Sequence, residues 1–361
     1  MAFDPIQEDC LRLILENMRR ERVFPLEDAG FIERGMVAYQ TDAAQLIHTD
    51  RDRSFHLTAK AAEILDYRAA FIPDESEAQR QEDVAIGYLE EAVGLDASNW
   101  DARRMLAELD AESGDAFLDF LAENRAAIEE ETAQLADRAR DPYAREFARD
   151  LGQRPYLRWL AATASRALIS GRYRQALRAA EEALAHDPAD EAGARHTAML
   201  AMAKLEYGMD ELKRFRREHA RAYLPVSPQM RRHHLAEKAL DPWTLLAYTS
   251  CAWKSFDAEE ATRYLQRLLR VSTGAARALY YQTEFPEGVF GRVNVVPGSE
   301  DELILAISEA TPLLEEGLGA PECASFAAWI AEHEYVREAL GELPNREAAG
   351  ARRGRIPGGD A

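Results

Sequence analysis

Three alanines constrain this chain more than any other feature. Ala176, Ala180 and Ala183 are four and three residues apart, and Asp187-Pro188 follows them. Steps of four and three place the three methyl groups on one helical face. So small a face lets another helix approach closely, and the segment therefore needs a packed helical partner along its length. The spacing recurs at Ala85, Leu89 and Ala92, and again at Ala261, Leu265 and Leu268. Asp-Pro recurs as well, at Asp4-Pro5, Asp141-Pro142 and Asp241-Pro242. Aspartate accepts a hydrogen bond from an unpaired first-turn amide, and proline loses no useful donor there, so each pair reads as a helix start. Helical patterns are dense and strand patterns nearly absent, so the expected class is all-α.

The recurrence has a period near 34 residues, the mark of stacked repeats rather than one globular core. Residues 157–190 carry its best copy and resemble the tetratricopeptide repeat (TPR). Ala176, Ala180, Ala183 and Pro188 fall at repeat positions 20, 24, 27 and 32, and Gly171 and Tyr173 fall at the turn between the two helices. Leu160 and Thr163-Ala164 depart from the pattern, where the family has Trp and Leu-Gly. Weaker copies cover 82–102, 191–222 (with Leu212 at the position-20 slot) and 242–275 (with Ala252). The helix preceding 82–102 is expected over 55–71, with the polar stretch 73–83 as an inserted loop. A Ser98/Asp101 capping pair is expected to open the next helix, and a long charged helix to run over 116–140.

The resemblance implies a TPR-like α-solenoid of antiparallel helix pairs over 55–343. An N-terminal helical segment, 1–54, precedes it. An irregular Gly- and Pro-containing excursion is expected near 285–299, where Val293, Val295 and Val296 could run extended. Residues 344–361 have almost no apolar content and read as a disordered tail.

Charge bears on partners. The formal net charge is −20, from 64 acidic and 44 basic side chains. It is unevenly placed: residues 74–137 hold 19 acidic and 4 basic side chains, whereas 138–240 hold 13 and 20. The overall balance disfavours duplex DNA and anionic lipid, but the basic block keeps open an acidic partner. No apolar run is long enough to span a membrane. The first residues lack a signal-peptide pattern, and three scattered cysteines give no disulfide framework, so cytoplasm is the expected compartment. Arginine and alanine dominate while lysine numbers only five, as in a GC-rich bacterial genome.

No catalytic motif is present. There is no GxSxG, SxxK, HExxH, CxxC or phosphate-binding GxxxxGK[ST]. His233-His234 point to different sides of a helix and do not converge on one metal. No cofactor, metal site or catalytic residue is expected. In TPR proteins the first helix of each repeat lines a concave groove. The resemblance places Arg158, Ser165, Arg195, Met199, Trp243 and Lys254 there. Ala161 and Ser165 stand where a carboxylate-clamping member has Lys and Asn, so that clamp is not expected. The function expected is a non-catalytic scaffold or adaptor binding a protein or peptide, possibly acidic. The alternative is a nucleic-acid-binding regulator acting through the basic stretch 213–238. Nucleic acid is disfavoured because the stretch carries no RNA-binding motif.

Overall fold

The computed structural model describes residues 4–23, 28, 30–69, 72–224, 240–272, 274–282, 298–315 and 326–341. Among these the fold is all-α, without a strand. The order begins α1 (Pro5–Glu21), α2 (Gly30–Asp42), α3 (Asp50–Tyr67), α4 (Glu75–Leu95), α5 (Trp100–Asp110) and α6 (Gly114–Arg138). It continues with α7 (Pro142–Phe147), α8 (Arg154–Ile169), α9 (Tyr173–His186), α10 (Ala194–Lys204) and α11 (Met209–Glu218). Then come α12 (Pro242–Lys254), α13 (Ala258–Val271), α14 (Ala275–Tyr281), α15 (Glu300–Glu309), α16 (Thr311–Leu314), α17 (Phe326–Glu332) and α18 (Glu334–Leu340).

Successive helices pair. α3 packs on α4, α8 on α9, and α12 on α13. The first helix of each pair also touches its counterparts, α5 against α8, α8 against α10, and α10 against α12. The alanine faces explain these contacts. Ala85, Leu89, Ala92, Ala176, Ala180, Ala261, Leu265 and Leu268 are fully buried, and Ala183 and Leu212 are buried with them. The turn between α8 and α9 closes through Gly171, at φ +74°, a backbone shape that glycine adopts without steric cost. Two apolar clusters result, a small one from Leu57 to Met105 and a large one from Trp100 to Val336.

Three of the four Asp-Pro starts hold. Asp4, Asp141 and Asp241 accept from the amides of Gln7 (2.9 Å), Ala144 (2.8 Å) and Thr244 (2.9 Å). The fourth does not. Asp187 ends α9 and holds a turn through Ala189 N and Glu191 N, while Asp190, ahead of α10, accepts from Ala194 N. Other expectations need correction. The stretch 73–83 is not a loop, because Asp74 caps a helix that begins at Glu75 and faces water for its first turns. Asn99, not Ser98, caps α5, and its buried amide also donates to Ser54 and Thr58 on α3. α3 starts at Asp50, ahead of the expected 55, because Thr49 and Asp52 form a reciprocal capping box, so the 54/55 boundary falls inside a helix. Most of the 285–299 excursion, with its three valines, and the 344–361 tail lie outside the described residues.

α1 packs against α3, while α15 and α16 pack against α12 and α10.

Candidate binding site

Arg154 and Arg158 are one turn apart on α8, so both guanidinium groups leave the same face. They meet Glu8 of α1, which accepts from Arg158 at 2.8 and 3.1 Å and from Arg154 at 3.3 Å. Arg12, one turn after Glu8, completes the clasp at 3.1 Å. Arg158 also donates to Asp101 of α5 at 2.8 Å, so a single side chain joins α1, α5 and α8. Burial would raise the Glu8 carboxyl, but Arg158, Arg12 and Arg154 lower it further, to about 2. Arg158 is held firmly protonated; the charges of Asp101 and Glu8 outweigh the cost of burial.

A hollow of about 80 Å³ lies beside this node, with Asp9, Phe55, Asp66 and Arg104 in its wall. Asp9 is buried and accepts from the Tyr39 hydroxyl at 2.8 Å, with the His56 ring nitrogen at 2.7 Å. Burial raises the Asp66 carboxyl to about 6, although Arg104 and Arg158 oppose the rise. Because the folded value lies above the ordinary 3.8, ionised Asp66 weakens the fold. That cost is absent below about pH 4 and complete above about pH 6. Asp66→Asn is therefore expected to stabilise the chain by about 2 kcal/mol at pH 8 and to have little effect at pH 4, checked by urea unfolding at both pH values.

A larger cleft of about 460 Å³ opens on the other side of Arg12 and Phe55. Arg12, Arg19, Arg20, Arg51 and Arg138 line it, opposed by Glu16 and Asp52 alone among its acidic groups. Arg12 lies between two rings, 4.0 Å from the centre of Phe55 and 5.6 Å from that of Phe147. Asp52 is taken up by Arg20 and by the amides of His48 and Thr49. Glu16 is reached by Arg19, at 3.4 Å. Arg51 meets Asp96 only at 3.8 Å, and Arg138 donates to the neutral amide of Gln134. Both of these arginines stand at the exposed rim.

The groove residues expected from the sequence do not share one open surface. Arg158 is engaged by Glu8 and Asp101, as described. Arg195 turns back on Asp190 at 2.8 Å. Met199 and Trp243 cannot line a groove, because both are buried. The Trp243 indole N–H donates to Glu309 of α15 at 2.7 Å, and its ring stacks on His196 with centres 3.9 Å apart. Lys254 donates to the Ala203 carbonyl at the end of α10, and Ser165 is half-buried on α8. Thus α1 engages Arg158 at one end through Glu8, and α15 engages Trp243 at the other through Glu309.

A second polar node surrounds Trp243. Asp241 lies 3.6 Å from the His196 ring, and burial is outweighed by His196 and the Thr244 amide, so its carboxyl is held well below the usual range. Burial raises nearby Glu302 to about 7, against the pull of the Gly298 amide. Among the described residues, no three His, Cys, Asp or Glu side chains gather as a metal site.

Of the basic stretch 213–238, only residues up to 224 are described. There Lys213 reaches Glu260, Arg216 lies over the Tyr223 ring, and Arg214 makes only 3.9 Å contacts to Glu211 and Glu218.

The arginine cleft itself was not foreseen. It joins α1, α3, α6 and α7, which are up to about 130 residues apart. The one available signal was the Glu8-Arg12-Glu16 spacing, which puts charges on one face of a helix otherwise read by its apolar residues. No described helix is long and apolar enough to cross a membrane. Comparison with protein-family models, curated proteins and solved structures finds no match to this chain.

Proposed function

We propose that this chain is a TPR-like α-solenoid serving as a non-catalytic scaffold or adaptor, and that it binds an acidic segment of a protein partner. Support for the repeat architecture comes from the burial of its small-residue positions and from the stacking of α3, α5, α8, α10 and α12 through their neighbours. The observation that carries the function is the arginine cleft: five arginines and two carboxylates line it, in a chain of net charge −20. The excess of arginine over carboxylate in the lining favours an anionic ligand. Arginine forks also suit carboxylates in pairs, which gives orientation as well as attraction.

The binding site is thereby moved from the groove positions to the rim of the cleft, since Arg158 holds the fold together. Reversing Arg51 and Arg138 to glutamate is expected to abolish capture of the partner in a pull-down read by mass spectrometry, with helical circular dichroism and melting unchanged. Reversing Arg214 and Arg217 is expected to leave capture intact. Equal capture by the Arg51/Arg138 variant would remove the cleft from the function. Salt-sensitive RNA retention lost on neutralising Arg214, Arg216 and Arg217 would instead favour the nucleic-acid regulator.

A further inference from the structure

The cleft is specific about charge as well as sign. Its lining holds five arginines and two carboxylates. Both carboxylates are already engaged, Asp52 by Arg20 and two amides, and Glu16 by Arg19. Arg12 is already held by Glu8, so the surplus positive charge falls on Arg51 and Arg138 at the rim. One ligand carboxylate, with a single negative charge, answers only one of these two. A phosphate group carries about −1.5 to −2 and three acceptor oxygens, so it can take two arginine forks at once. Arg12 is preorganised for such a role, because the faces of Phe55 and Phe147 fix its guanidinium while Glu8 holds it from behind. Arg51 and Arg138 can close from the rim at small cost: Arg51 gives up a 3.8 Å contact to Asp96 and a 5.7 Å approach to the Phe55 ring, and Arg138 gives up the neutral Gln134.

We propose that the cleft is a phosphate-binding site, with Arg12 as its fixed floor and Arg51 and Arg138 as its adjustable rim. The ligand is a phosphate group, either free or borne on a partner's side chain, and the inference rests on the cleft being a site for acidic ligands.

The test is calorimetric titration of the full chain at fixed ionic strength with three probes. These are inorganic pyrophosphate, a phosphoserine peptide, and the same peptide with glutamate in place of phosphoserine. Pyrophosphate and the phosphopeptide are expected to bind once per chain. The Arg51→Ala/Arg138→Ala variant is expected to weaken both by about 10- to 100-fold, the loss of one or two charge-assisted contacts. The variant's melting curve without ligand should match that of the parent, since both side chains are exposed. Binding of pyrophosphate alone supports the phosphate site and turns against the protein-partner function. Binding of the phosphopeptide alone supports both. If the glutamate peptide binds as tightly as the phosphopeptide, the phosphate proposal is overturned while the acidic-partner function stands. Absence of saturable binding by pyrophosphate and phosphopeptide alike, or binding indifferent to the double substitution, also overturns it.

Discussion

Arg158→Met is expected to destabilise the chain by about 3 kcal/mol, because it strands the buried Asp101 carboxylate without its counter-charge. Glu8 keeps Arg12 and Arg154, so the loss is expected to come chiefly from Asp101. Adding Asp101→Asn to Arg158→Met should then recover a good part of the stability, which a merely bulky contact would not allow. Urea unfolding of the two variants separates these outcomes. Failure of the second substitution to rescue would show that Arg158 acts by packing rather than by charge.

The same node sets acid behaviour. Glu8 titrates at about 2 in the fold against about 4.5 in the free side chain. A lowered value stabilises the fold above the unfolded value, so this contribution is complete above about pH 4.5 and disappears as pH falls towards 2. It is worth about 3 kcal/mol when complete. Removing Arg158 should make the loss of stability below pH 4.5 shallower.

The second large effect is expected at Trp243. If that ring lined an open groove, Trp243→Ala would be nearly neutral for stability. The ring is buried, stacks on His196 and donates to Glu309. Truncation is therefore expected to cost about 3–5 kcal/mol, the range for emptying a large aromatic site. Trp243→Phe keeps most of the packing but leaves the buried Glu309 carboxylate short of a donor, at about 1–3 kcal/mol. Thermal unfolding of the two variants orders them, and a neutral Trp243→Ala would return this residue to a binding surface.

Much of the fold was legible because its signals are local. A capping aspartate and a first-turn proline act within four residues, and Asp4, Asp141 and Asp241 perform as their sequence suggests. Alanine steps of four and three act within two turns, and those positions are buried. Local signals also misled. Polarity made 73–83 look like a loop, although a solvent-facing helical turn is equally polar, and Asp74 settles the matter by capping.

What the sequence determined by itself was the all-α class and the helical faces that must pack, since helix periodicity and capping depend on near neighbours alone. Only the tertiary structure decided what covers those faces. Glu8 meets Arg158 across 150 positions, and Trp243 meets Glu309 across 66. No periodicity along the chain encodes such distances. They follow from where α1 and α15 pack, and that placement turns Arg158 and Trp243 into structural contacts. It also gathers Arg12, Arg51 and Arg138 around one cleft.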